Sequence, residues 1–236
     1  MQVLHLLGQS DYAEVHALQG ALVDARPDGA IGDVLILTEH RPTITLGRAR
    51  GAERSVVLAG EVPVVSVERG GDATWHGPGQ LVAYPILQLV GERRDLRDHL
   101  RRLEQGVITL LRELGLPAQR DPRNTGVWLP GPGAAGPRKV CSIGVAVRRW
   151  VSWHGLALNI DPDPAGFARI RPCGFDAEVM TRLCDHLHPS PSLAALAEPL
   201  ANHLGAALAS GPASWVRVAA KDASPSVVMD RLRSER

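Results

Sequence analysis

The sequence predicts an α+β fold, and three features of the chain point to it. The runs Val34 to Leu37, Thr43 to Leu46 and Val62 to Val67 are short, β-branched and separated by Pro or Gly, as strands are, and should share a sheet. From Asp95 to Leu114, residues Leu96, Leu100, Leu103, Val107, Leu110, Leu111 and Leu114 keep helical spacing, which predicts a long amphipathic helix. Val140 to Val147 and Val151 to Ile160 read as two strands around Arg148, Arg149 and Trp150, a hairpin pattern.

The remaining elements are taken in chain order. Asp11 with Glu14 three residues on forms a capping-box pattern, and Val15, Leu18, Leu22 and Val23 then fall on one face, which predicts a first helix. Arginines 93, 94, 97, 101 and 102 occupy or flank the first turns of the central helix, a charged run that usually marks a solvated face. Between Trp128 and Lys139 the stretch LPGPGAAGPR is too rich in Gly and Pro for regular structure and should be an exposed, mobile loop. Leu193 to Leu208 reads as a late helix despite Pro199. Beyond Gly211 the composition turns to Ser, Pro and charge. Residues 1–211 are therefore expected to form one catalytic-size domain, and residues 212–236 an exposed or weakly docked C-terminal tail.

Composition narrows the class of partner. With 44% apolar and 22% charged residues the chain can bury a sizeable core, so general disorder is excluded. A net charge of +1 gives no bulk attraction for nucleic acid or an anionic membrane, and neither is expected as a partner. Three cysteines, an odd number in a long chain, argue against a secreted disulfide framework. The N-terminus MQVLHLLGQSDYAEVH lacks a basic n-region and reaches Ser10, Asp11 and Glu14 before a long apolar run forms, and no later stretch approaches a membrane span. The expected location is the cytoplasm.

Two passages carry candidate chemistry. RGGDATWHGPGQ, Arg69 to Gln80, sets Gly70, Gly71, Gly77 and Gly79 around a Thr-Trp-His core directly after a predicted strand. Glycines permit close backbone approach to a ligand, so such a passage can aim amides at a substrate oxygen; on its own it equally suits a pair of tight turns. It matches neither the phosphate-cradling loop nor the dinucleotide fingerprint. The second passage is RPCGF, where Pro172 and Gly174 shape a turn that would leave Cys173 accessible. A lone cysteine is more often a small buried hydrophobe, but a lysine held beside it would favour the thiolate, and Lys139 opens the strand-like KVCSIG after the Gly/Pro loop. Cys184, His186 and His188 lie close together in sequence, but their spacing matches no firm zinc pattern, and the chain is expected to bind no metal.

Taken together, RGGDATWHGPGQLVAYP, KVCSIGVAV, HGLALNI and RPCG, in this order and spacing, resemble the lipoyl(octanoyl) transferase family, with a weaker match in LTEHRPTITLGR. The resemblance implies a mixed β-sheet flanked by helices, the catalytic-domain fold shared with biotin protein ligases and lipoate-protein ligases. It implies that Cys173 is the acyl-accepting nucleophile and that Lys139 lowers its pKa and assists proton transfer. It further implies that Arg69, Gly70, Gly71, Asp72, Ala73, Thr74, Trp75 and His76, then Ser142, Ile143 and Gly144, then Gly155, Leu156 and Ala157 line the substrate site. Trp75 stands where the family usually has Tyr, which removes a hydroxyl and keeps an aromatic wall.

The activity so implied is transfer of an octanoyl group from octanoyl-acyl carrier protein, through a Cys173 thioester, to a lysine of lipoyl domains. The acceptors would be 2-oxoacid dehydrogenase complexes and the glycine cleavage H protein, in the first step of endogenous protein lipoylation, with no cofactor. Residue by residue the chemistry is coherent: Lys139 supplies positive charge, amides near Gly70, Gly71 or Gly144 are candidate oxyanion donors, and Ile143, Leu156 and Ala157 are candidate walls of an acyl slot. Neutral Lys139, favoured over His76, would take the proton of the attacking amine. His154 is not assigned a catalytic role. Arg93 to Arg102 offer a docking face for an acidic carrier protein. The competing readings are an ATP-dependent lipoate-protein ligase, which has no need of a cysteine nucleophile, a papain-like thiol hydrolase, and a non-catalytic acyl-carrier or lipoyl-domain binder.

Overall fold

A computed structural model of the protein describes residues 1–131, 136–171, 177–210 and 214–234. In chain order its elements are β1 (Gln2–Ser10), α1 (Tyr12–Ala25), β2 (Val34–His40), β3 (Thr43–Leu46), β4 (Val64–Ser66), β5 (Ala73–His76) and β6 (Gln80–Gln88). After these come α2 (Leu96–Glu113), β7 (Val127–Leu129), β8 (Arg138–Arg148), β9 (Val151–Asn159), α3 (Pro164–Phe167), α4 (Leu193–Ala207), β10 (Ser214–Ala219) and α5 (Pro225–Ser234). A seven-stranded mixed sheet runs β10-β1-β2-β6-β9-β8-β7, and a three-stranded sheet runs β4-β3-β5. In the large sheet β1 is parallel to both its neighbours, while every pairing from β2 to β7 is antiparallel.

Helices cover both faces of the large sheet because its strands are apolar on both sides. On one face Leu103, Val107 and Leu111 of α2 and Leu196, Leu200 and Leu204 of α4 pack with Leu35, Leu37, Leu81, Ala83 and Leu158. On the other, Val15, Leu18 and Leu22 of α1 and Val228 and Leu232 of α5 pack with Leu4, Leu6, Ile36, Val82 and Ile86. Residues one apart along β2 and β6 thus enter different cores. A third, smaller core of Ile44, Ala73, Trp75, Phe167, Ile170 and Met180 underlies the small sheet.

The helix starts obey the capping pattern. The Asp11 carboxylate accepts from the Ala13 and Glu14 amides at 2.8 and 3.2 Å, and Asp95 does the same for Arg97 and Asp98 at the head of α2. The hairpin turn places Arg149 and Trp150 at φ 51° and 60°, the left-handed pair that a two-residue hairpin connection requires. α4 runs through Pro199.

Two expectations are corrected and one element is added. The strands near residues 34, 43 and 62 do not share a sheet: β2 belongs to the large sheet and β3 and β4 to the small one. Pro42, which has no amide to donate, lies at the break between β2 and β3. Gln2–Ser10 is a strand that the local sequence pattern does not announce, with Gly8 at φ 88° inside the register shift between His5 and Gln9. Residues 214–234, expected in an exposed or weakly docked tail, are instead packed on the domain. β10 pairs with β1 from Gln2↔Ser214 to Leu7↔Ala219, and Val228 and Leu232 are fully buried. Alternation in Trp215-Val216-Arg217-Val218 and the i, i+4 spacing of Val228 and Leu232 account for this docking. Part of the Gly/Pro stretch before Lys139, residues 132–135, lies outside the described residues.

One ladder of the large sheet opens in its middle. The β6–β9 ladder has no pairs between Ala83↔Leu156 and Leu87↔Ser152. There Pro85 has no amide to give and His154 sits at φ 57°. Gly155 lies in this gap, where a Cβ would collide with the Ala83 carbonyl oxygen. Gly155→Ala is therefore expected to destabilise the fold by about 1–3 kcal/mol, through overpacking against a strand that cannot recede. Urea unfolding should show a lower midpoint at unchanged m-value, and an unchanged midpoint would mean that the two strands can separate freely.

Candidate active site

The Arg69-to-His76 passage crosses from the small sheet onto the hairpin β8–β9. Arg69 is buried, and its guanidinium donates to the carbonyls of Gly70, Asp72 and Thr45 at 3.1, 2.8 and 2.8 Å and to Thr45 Oγ1 at 2.8 Å. The Gly70 amide donates to the Val145 carbonyl at 3.0 Å, so the loop is hydrogen-bonded directly to β8. That approach needs a bare backbone below it: a Cβ at Gly144 would lie 3.0 Å from the Gly70 oxygen and 3.2 Å from Arg69 Cδ. Asp72 is occupied in the same frame, accepting from the Ala73 amide and the Ser55 hydroxyl at 2.7 Å each.

Between this loop and the large sheet lies a cavity of about 310 Å³. Of the residues expected to line a substrate site, Arg69, Gly70, Gly71, Asp72, Ala73, Thr74, His76, Ser142, Ile143, Gly144, Gly155, Leu156 and Ala157 all border it, and so does Lys139. Trp75 does not. Its ring is turned into the small-sheet core, edge-on to Phe167 at 5.2 Å, and fills the space over Gly77 and Gly166. Alternation along β5 sends Thr74 and His76 one way and Trp75 the other, so the expected aromatic wall is supplied elsewhere. Tyr12 and Tyr84 border the cavity, as do Leu96 and Leu100 from the first turns of α2 and Arg123, Asn124 and Thr125 ahead of β7. None of these stands out in the sequence as a site residue. A period-two reading of QLVAYPILQ, which puts Tyr84 among buried apolar neighbours, is the signal that could have found it.

Lys139 is only 7% exposed. Its Nζ stands 4.8 Å from the centroid of the Trp128 ring, and its stem passes over Gly126, whose φ of 126° and missing side chain leave room for it. A chain of hydrogen bonds fixes its strand to the segment beyond residue 176. Gln80 donates to Asn159 at 3.0 Å, Asn159 to the Thr181 carbonyl at 3.1 Å, and the Thr181 amide to the Lys139 carbonyl at 3.0 Å. Gln80 and Asn159, the last residues of HGPGQ and HGLALN, are thus framework residues of the cavity's lysine side. On the opposite side the Arg171 amide donates to the Ser55 carbonyl at 2.7 Å, and Ser55 in turn holds Asp72. Pro172, Cys173 and Gly174 lie outside the described residues.

The two described cysteines are poor nucleophiles. Burial pushes the Cys141 thiol far above its ordinary value, and it is fully enclosed. Burial and the bond to Asp161 Oδ1, at 3.0 Å, push Cys184 up to about 12. Of the five arginines at the head of α2, Arg93 and Arg102 donate to carbonyls at the end of α4, Arg94 covers Trp150, and Arg97 and Arg101 are exposed.

Histidines crowd the polar end of the cavity. His76 stacks on Tyr12 at 5.6 Å and meets His40 edge-on at 5.8 Å, while His40 Nε2 bonds the Tyr84 hydroxyl at 2.8 Å. Burial holds His40 at about 4 and His76 well below the ordinary histidine value. Away from the cavity, His99 bonds Ser152 Oγ at 2.8 Å and is likewise held at about 4 by burial.

The matching proteins can be set against this geometry. Residues 11–205 match the family model described as the lipoyl protein ligase A/B catalytic domain. An octanoyltransferase of Chloroflexus aurantiacus is 44% identical over 215 residues, 89% of this chain and 95% of that one. An octanoyltransferase of Nostoc punctiforme is 44% identical over 186 residues, 78% of each chain. Among solved structures, a bipartite lipoate protein ligase from Thermoplasma acidophilum superposes with a TM-score of 0.70 at 16% identity, covering 100% of this chain and 92% of its own. A lipoate-protein ligase A bound with ATP gives 0.69 at 16% identity, covering 100% and 96%. At that identity the likeness is one of fold.

Buried histidines that stay neutral in the folded state take up protons once unfolded. Between about pH 6.5 and 4 the unfolded chain therefore binds more protons than the native one, and stability falls as the pH drops through that window. Unfolding followed from about pH 6.5 down to 5, above most carboxylate titrations, should show this decline, and His99→Gln should make it shallower. Equal slopes in the two proteins would show that His99 is not held neutral.

Proposed function

We propose a two-step octanoyl transfer through Cys173 for this chain, which belongs to the octanoyltransferases of the lipoyl protein ligase A/B catalytic-domain family. The observation that carries the reading is the anchoring of the chain on both sides of Cys173. Arg171 is tied through Ser55 to Asp72 on one side of the cavity, and Thr181 to Lys139 on the other. The intervening segment leaves from one cavity wall and returns at the other, and Cys173 is the third cysteine beside two that are unsuited to attack.

In the first step the Cys173 thiolate attacks the thioester carbonyl of an octanoyl-acyl carrier protein. A new thioester forms on Cys173, and the carrier's thiolate leaves and takes the proton of the Lys139 ammonium, which is left neutral for the second step. The positive charge of Lys139 favours the attacking thiolate. In the second step the ε-amine of a lipoyl-domain lysine attacks the acyl-enzyme; an amide forms, Cys173 leaves as thiolate, and Lys139 accepts the amine's proton directly or through water. The Gly70 amide is already given to Val145, which favours other amides of the loop or of β8 for the oxyanion. Leu96, Leu100, Ile143 and Leu156 give the cavity an apolar side for the acyl chain. Arg97 and Arg101, exposed beside the cavity residues Leu96 and Leu100, are the docking positions for an acidic carrier. The reading includes a cytoplasmic setting, consistent with Cys141 and Cys184 both being free thiols. No helix among the described residues is long and apolar enough to cross a membrane.

The alternative of an ATP-dependent ligase shares the fold, so the test omits ATP. Incubated with octanoyl-acyl carrier protein alone, the wild type should gain one octanoyl group by intact-mass spectrometry and pass it to an added lipoyl domain. Cys173→Ser should gain none, and Lys139→Ala should form the adduct on the order of 10²–10⁴ times more slowly. Octanoylation of the lipoyl domain only when ATP is supplied, or an adduct that survives in Cys173→Ser, would overturn the mechanism.

A further inference from the structure

His16, Glu68 and His154 come from three separate elements, α1, the connection between β4 and β5, and β9, and meet at one point beside the cavity. Glu68 Oε2 is 2.9 Å from His16 Nε2 and 3.5 Å from His154 Nε2, and the three potential ligand atoms lie within 4.8 Å of one another. Zinc bonds to imidazole and carboxylate are about 2.0–2.2 Å long, so neighbouring ligands around a tetrahedral ion stand about 3.3–3.5 Å apart. The two contacts to Glu68 bracket that separation. The imidazoles lie nearly parallel, 5.6 Å between centroids at 27°, and both stack on Trp153.

His154 supplies the second, independent observation. It is 1% exposed and neither ring nitrogen has a hydrogen-bond partner, the Glu68 carboxylate being too distant for a good one. Burying an imidazole this way is costly unless something meets its lone pair. Its backbone is held at φ 57° in the break of the β6–β9 ladder, with its amide donated to Gln19 Oε1 at 2.9 Å, so the ring is aimed by the fold and not by a partner of its own. The cation nearest in influence, Arg69, has its guanidinium bonded to Thr45, Gly70 and Asp72.

We infer that His16, Glu68 and His154 form a binding site for a divalent transition metal of the zinc class, with two imidazoles and one carboxylate as ligands and a further coordination position left for water. Nitrogen and carboxylate donors of this kind suit zinc better than magnesium or calcium, which prefer all-oxygen sets. Since Glu68 directly precedes Arg69 and His154 borders the cavity, a bound ion would tie the cavity's glycine loop to α1 and β9. The site is separate from Lys139 and does not depend on the transfer mechanism proposed above.

The test uses the full chain, reduced and freed of metal by chelator. Zinc should bind saturably with one equivalent, and at roughly a hundredfold excess over Kd should raise Tm by about 5–10 °C. Cobalt in its place should show visible d–d bands of nitrogen and oxygen ligation without thiolate charge transfer. His16→Ala and Glu68→Gln should each abolish uptake and the Tm rise. His16 is half-buried on a helix surface, and His16→Gln, which keeps a polar side chain there, provides a second reading should the alanine variant fold poorly. Absence of saturable uptake by the wild type, uptake unchanged in the variants, or a thiolate charge-transfer band from cobalt on the cysteines would each overturn the site.

Discussion

The Arg69 guanidinium is the fixed point from which the cavity is built. Removed from water, it would be strongly destabilising without partners, and it meets four oxygens from three residues. Hydrogen bonds from a charged donor are worth roughly 1.5–3 kcal/mol each. Their geometry matters as much as their sum: Thr45 belongs to the small sheet, while Gly70 and Asp72 belong to the loop that the Gly70–Val145 bond lays on β8. One side chain therefore sets the spacing between the two sheets, and that spacing is the cavity. The glycine at 144 is a consequence, because with the two backbones held this close a Cβ there would stand 3.0 Å from the Gly70 oxygen.

This arrangement explains which parts of the molecule could be read from the chain. α1, α2 and the β8–β9 hairpin were legible because their signals are local: a carboxylate at the N-cap, a 3.6-residue period, a short turn between two β-branched runs. β1 and β10 were not, because each is a strand only by virtue of the other elements it pairs with. β10 finds its place beside β1 across the whole length of the chain, and a Ser- and charge-rich composition hides the alternation of Trp215, Val216 and Val218. The division of β2 and β3 between two sheets is equally non-local.

The candidate site divides along the same line. Motif resemblance brought the cavity residues of the glycine loop, β8 and β9 into view, yet it could not say what each side chain faces. Arg69 and Asp72 border the cavity while their polar groups are spent on the backbone around them, and Trp75 faces the opposite way. Conversely Tyr12, Tyr84, Leu96 and Leu100 lie outside the motif blocks or carry no mark within them. Tyr84 comes from β6 itself, while Tyr12, Leu96 and Leu100 come from α1 and α2, which pack on opposite faces of a sheet whose ladder opens at Pro85 and His154. A wall drawn from both faces of a sheet has no signature in any one segment.

The same opening bears on why the chemistry is divided between two segments. Lys139 is buried on β8, one strand in from the edge of the sheet, where its stem is packed against Trp128 and Gly126. In the proposed transfer the thiol must be reachable by two large proteins while the lysine that acts on it must be held rigidly, and dividing them between the connection from Arg171 to Thr181 and a buried strand would meet both requirements. The Gln80–Asn159–Thr181–Lys139 hydrogen-bond chain then links them, since it fastens the far end of that connection to the strand carrying the lysine. In that mechanism Asn159 would be a positioning residue and not a catalytic one: it fixes Thr181, where the connection returns to the strand of Lys139.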